Sequence, residues 1–112
     1  MLLLIDAVTL EIVRTVALDG VAEPAQIARY SPDGETLLVT SLRSGTATLI
    51  DKTFAQQTTL AVGKQPMDGA FHGTSLFVAC QGDGSIHVID LIARRVSRRF
   101  SAGVGCETLA FF

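Results

Sequence analysis

A chain of 112 residues has room for one compact domain, and its 48% hydrophobic content is high for that size. A formal charge of −2 and a pI near 5.5 give no sign of a basic face for nucleic acid or an anionic membrane. The mean hydropathy of +0.42 would suit a membrane span, yet no apolar run approaches the ~20 residues that a bilayer helix needs.

In chain order, Met1-Leu2-Leu3-Leu4-Ile5 is cut off by Asp6. It has no basic region before it and no small-residue cleavage site after it, so residues 2–5 read as an internal strand rather than a leader. Residues 7–9 turn. Residues 11–18 (EIVRTVAL) read as a second strand, because Ile12, Val13, Thr15 and Val16 are β-branched and Gly20 and Pro24 close the segment. Residues 19–23 connect.

The stretch from Pro24 to Asp51 is the best-formed unit. Residues 25–30 are extended, and Ser31-Pro32-Asp33-Gly34 is a turn. Pro32 presets φ there, Asp33 can bond its own backbone, and Gly34 accepts positive φ. Residues 36–40 form an apolar, β-branched strand, 42–45 a loop, and 46–50 a strand ending on Asp51. Residues 56–62 then occupy the place that 11–18 held. A second round follows from Gly63-Lys64-Gln65-Pro66, with strands over 67–72, 75–80, 85–89 and 93–100, the third of them ending on Asp90. Residues 106–112 (CETLAFF) start a third round.

The Ile-Asp pairs at Ile5-Asp6, Ile50-Asp51 and Ile89-Asp90 are spaced by 45 and 39 residues, and Pro24, Pro66 and Cys106 by 42 and 40. A four-stranded unit of this length is what a β-propeller blade needs, so the expected fold is all-β, with antiparallel blades in an incomplete ring. Continuous apolar strands such as Leu37-Leu38-Val39 fit sheets buried on both faces. The boundaries are residues 1–20 as the second half of a blade, 21–62 and 63–102 as full blades, and 103–112 as the first strand of another.

Gly63-Lys64-Gln65-Pro66, Ser31-Pro32-Asp33-Gly34, Leu38-Val39-Thr40-Ser41 and Ile50-Asp51 together resemble the YVTN family of bacterial β-propeller repeats. Phe77-Val78-Ala79-Cys80 and Ile89-Asp90 repeat part of the pattern. Ser41 and Cys80 stand where the family has Asn, and His72-Gly73-Thr74 replaces the SPDG turn. The resemblance implies that residues 25–30, 67–72 and 107–112 are innermost and that 11–18, 56–62 and 94–100 lie at the rim. It also implies a bacterial periplasm or cell surface. Ala28, Ala70 and Ala110 then share an inner position where strands converge. Arg94, Arg95, Arg98 and Arg99 sit on a rim strand, read as a solvated edge that resists pairing in preference to an anion site.

Two full units with parts of two others do not close a ring, and each blade buries its faces only against neighbours. The expected partners are therefore the remaining blades of a longer propeller, favoured by the stop at Phe112 inside a strand, or other copies of the chain.

Catalytic constellations are weak. His72 and His87 belong to no nucleophile motif, Cys80 and Cys106 match no zinc or redox spacing, and Asp83 sits between glycines as a turn residue. No catalytic residue, metal ligand or cofactor is expected. Asp6, Asp51 and Asp90 read as caps of one repeated strand-to-turn junction. The binding candidates lie on loops and inner-strand starts at the channel mouth: Gln26, Asp68 and Thr108 at one place per blade, Glu107 beside the last, and Arg43 and Gln81 on the loops after the second strands. The function expected is a non-catalytic scaffold binding a protein, peptide or glycan. The alternative, carried by family analogy, is a segment of a propeller enzyme or redox subunit, lactonase-like or amine-dehydrogenase-like.

Overall fold

The structure is a computed structural model that describes residues 1–21 and 25–112. Its described residues form ten β-strands and no helix. β1 (Leu2–Ile5) and β2 (Ile12–Val16) pair as an antiparallel hairpin. β3 (Ile27–Tyr30), β4 (Thr36–Ser41), β5 (Thr46–Asp51) and β6 (Gln57–Ala61) follow as a meander in which each strand pairs with the next. β7 (Pro66–His72), β8 (Ser75–Cys80), β9 (Ser85–Asp90) and β10 (Arg95–Ser101) repeat that order. The two four-stranded sheets are β-propeller blades, and with the hairpin they make an incomplete ring.

Period-two alternation explains why the central strands are apolar throughout. In the first four-stranded blade, Leu38, Ala47 and Leu49 face the next blade and join Leu76, Val78, Cys80 and Ile89 in one buried cluster. Their immediate neighbours Leu37, Val39 and Ile50 face the other way, where Leu18 and the half-buried Leu2 and Phe54 cover them. A strand covered on both faces has no place for a solvated residue. Two hydroxyls inside are satisfied, Thr40 donating to the Met67 carbonyl at 3.2 Å and Thr48 meeting Thr59 at 3.1 Å, while Ser41 Oγ and Thr46 Oγ1 are buried without a hydrogen bond among the described residues. The edge strands differ, since solvent reaches most of β2 and β10.

The repeated Ile-Asp pairs end strands by side-chain capping. Asp6 accepts from the Val8 and Thr9 amides at 2.8 and 2.9 Å, and Asp90 from those of Ile92 and Ala93 at 2.9 and 3.0 Å. Asp51 accepts from the Thr53 hydroxyl and from the Gln56 amide. Each chain reversal then passes through a left-handed residue that is not glycine: Leu10, Phe54 or Arg94. These hydrogen bonds favour the carboxylate. They hold Asp6 (Thr9 amide first), Asp51 (Thr53 hydroxyl first) and Asp90 (Ala93 amide first) below the ordinary value of 3.8.

A depressed folded value means stability that is present above 3.8 and lost as pH falls through the lower folded values. The urea midpoint is therefore expected to fall as pH drops below about 4. Asp90→Asn should lower it at pH 7 and make the acid limb shallower. A midpoint unchanged between about pH 5 and pH 3 would refute this capping role.

Two expectations need correction. Residues 106–112 form no strand, because a strand exists by pairing and the described residues supply no neighbour beside this one. The segment lies instead along the last blade, with the Phe111 ring 4.9 Å from those of His72 and Phe77. The strand read over 11–18 is only Ile12–Val16, since its partner β1 is four residues long and shifts register at Ile5. Pro24, aligned above with Pro66 and Cys106, and its neighbours Ala22 and Glu23 lie outside the described residues.

Candidate functional site

Three loops meet at one end of the two blades: residues 42–45, 62–65 and 81–84. Backbone bonds lock them together. The Val62 amide donates to the Gly45 carbonyl at 2.8 Å, Gln81 to Gln65 at 3.0 Å, and Gly82 to Lys64 at 2.9 Å. This closeness demands glycine. A Cβ on Gly63 would stand 2.6 Å from Ser85 Oγ and 2.7 Å from Asp83 Oδ2, and one on Gly82 2.9 Å from Lys64 Cβ. The floor is thus tightly packed, and above it opens a cleft of about 700 Å³ between the blades, with Arg43, Lys64, Gln65, Asp83, His87 and Arg99 among its lining residues.

A polar chain runs into the cleft wall. Asp83 accepts from the Ser85 hydroxyl at 2.6 Å and from the Lys64 amide at 3.1 Å. Ser85 Oγ lies 3.3 Å from His87 Nδ1, and Cys80 Sγ lies 3.7 Å from the same nitrogen. The Ser85 hydrogen bond holds Asp83 below the usual carboxylate range. Burial, and then the Arg99 cation, push His87 below its ordinary value despite Asp83, so its imidazole is neutral at pH 7. Burial likewise pushes the Cys80 thiol up. A thiol that is fully buried and hard to ionise is a poor nucleophile. The chain satisfies buried polar atoms and holds the loop; it does not assemble an attacking group.

The sequence candidates are divided between places. Arg43 lines the cleft. Gln81 supports it, because its amide ties down the Gln65 loop while its side chain donates to Glu107 at 2.7 Å. Asp68 and Thr108 line a separate groove of about 480 Å³ with Arg29 and Tyr30. There Asp68 is held by Arg29 through two bonds of 2.9 and 2.8 Å, a fork that joins the blades. Gln26 is exposed and outside both linings, with its amide bonded to the Thr40 carbonyl at 2.7 Å.

The cleft also takes residues that the sequence reading assigned elsewhere. Arg99 faces it from β10 because it pairs with His87 in register. Its fellow Arg94 reaches Thr58 of the neighbouring blade at 3.3 Å, and Arg98 lies over the Phe100 ring. The Gly63-Lys64-Gln65-Pro66 motif carried the usable signal for Lys64 and Gln65. Among the described residues, no group of three His, Cys, Asp or Glu stands where it could hold a metal ion.

No family model matches the chain, and no curated protein matches it. Among solved structures it is similar to Kuenenia stuttgartiensis hydrazine synthase, at 26% identity and a TM-score of 0.78. The likeness covers 90% of this chain and 30% of that one, so the chain spans less than a third of its neighbour's length. The similarity bears on how successive sheets are laid side by side.

Proposed function

We propose that this chain is part of a non-catalytic propeller scaffold of the YVTN-like bacterial kind, which holds a protein, peptide or glycan in the cleft between its blades. The observation that carries the reading is the preformed floor, with three loops locked by backbone bonds beneath an open, mixed polar and apolar cavity. The subfamily rests on the Ile-Asp caps and the SPDG turn, in which the Gly34 amide donates to the Ser31 carbonyl at 2.9 Å and Asp33 accepts from Ser31 Oγ. Further blades, from a longer chain or from other copies, would cover the exposed Leu3, Ile5, Ile12 and Val13.

Titration of the ¹⁵N-labelled chain with panels of short peptides and oligosaccharides tests the site. At least one panel should move the amides of Gly63, Lys64 and Gly82 selectively. Shifts confined to the Arg29–Asp68 groove would refute the assignment. The likeness to hydrazine synthase favours a second reading, a segment of an enzyme. That reading expects the cleft to have no affinity for peptides or oligosaccharides, and so expects these amides to stay still.

A further inference from the structure

The cleft has a charge opposite to that of the chain that builds it. Its lining includes three cations, Arg43, Lys64 and Arg99, against one carboxylate, Asp83, a local balance of +2 on a chain of −2. The cations come from two loops and a strand, so the clustering is a product of the fold and not of a basic run. Asp83 neutralises none of them by an ion pair. It already accepts from the Ser85 hydroxyl and the Lys64 backbone, and the ion pairs among the described residues are Arg29–Asp68 and Lys52–Glu35. The three heads are exposed and uncommitted, above a floor that backbone bonds hold in place. Leu42, Ala61 and Val62 supply the aliphatic part of the same lining.

Resting on the scaffold reading above, we propose that the ligand of this cleft is an acidic peptide. Its carboxylates meet Arg43, Lys64 and Arg99, and its aliphatic side chains lie on Leu42, Ala61 and Val62. Guanidinium forks suit carboxylates, and a concave basic site on an acidic molecule concentrates anionic segments. Sugars are usually held by stacking on flat aromatic faces, and no Phe or Tyr lines the cleft. An aliphatic lining without an aromatic face therefore favours peptide over acidic glycan.

The test is a titration of the ¹⁵N-labelled chain with the peptide Ac-Glu-Leu-Glu-Leu-amide, its glutamine counterpart Ac-Gln-Leu-Gln-Leu-amide, and tetragalacturonate. The acidic peptide should shift the Gly63, Lys64 and Gly82 amides and bind roughly tenfold or more tighter than its counterpart, with affinity falling as salt rises. Combining Arg43→Gln, Lys64→Gln and Arg99→Gln should remove that advantage. Lys64→Gln alone, on an exposed side chain, should weaken binding about two- to fivefold, and Arg98→Gln should leave it unchanged. Equal binding of the glutamine peptide, or undiminished binding by the triple variant, overturns the acidic-peptide inference and leaves the scaffold reading in place. So does a response to tetragalacturonate alone. Silence of these amides towards all three ligands overturns the inference, and silence towards the wider panels as well removes the scaffold reading.

Discussion

Leu38→Ala should lower the unfolding free energy of this chain by about 2–5 kcal/mol, towards the upper end of that range. Leu38 is fully buried at the centre of β4, where it faces the next blade among Leu49, Leu76 and Val78. Truncation removes the transfer energy of three carbons and leaves a cavity whose cost depends on how far the walls can relax. They can relax little here. The residue that an added Cβ brings within 2.6 Å of Leu38 Cδ2 is Gly69, which has no side chain to swing into the gap. A domain of this size has only about 5–15 kcal/mol in total, so the loss should be plain in urea denaturation. Leu37→Ala is the informative contrast. Its side chain is as buried but faces the two-stranded hairpin, whose thinner cover can shift, and its loss should be smaller. Equal losses, or a Leu38 loss below about 1 kcal/mol, would deny that the blade-to-blade face is the principal core.

Much of the blade pattern is legible in the sequence because it is local chemistry repeated. An aspartate capping a turn, a Pro-Asp-Gly reversal and an apolar run of five or six residues each specify their own geometry. The spacing of Asp6, Asp51 and Asp90 therefore marks where strands end before any tertiary contact is known. What depends on a neighbour is less legible. Residues 106–112 have the composition of a strand but no strand beside them among the described residues, and composition does not carry that information. Arg99 shows the same limit. Its place in a run of arginines suggests a solvated rim, while its direction is set by cross-strand register with His87, which depends on a bulge between Val96 and Arg98. The polar residues at one place per blade also diverge. A ring position brings side chains together only when the blades around it are present, and Asp68 is meanwhile taken up by Arg29. Ala28 and Ala110 stand exposed, since no further strands converge on them here.

Gly69→Ala should also destabilise the chain, by about 1–3 kcal/mol, although β7 is a regular strand at this point and Gly69 has no left-handed backbone to defend. Without a steric barrier the substitution would be favourable by about 0.4–1 kcal/mol, because alanine restricts the unfolded chain. The sign reverses because the new methyl would sit 2.6 Å from Leu38 Cδ2, 3.0 Å from Leu76 Cδ1 and 3.1 Å from the Phe77 carbonyl oxygen. The last of these is backbone in a paired strand and does not yield. The first is the tip of a side chain that can be shortened. On the Leu38→Ala background, Gly69→Ala should therefore cost much less than in the parent chain, and the methyl should refill part of the cavity. The coupling in the double-mutant cycle should be about 1–2 kcal/mol, with the remaining cost set by Leu76 and the Phe77 carbonyl. Strict additivity between the two substitutions would mean that Leu38 is not the wall Gly69 faces, and the packing of one blade on the next would have to be redrawn.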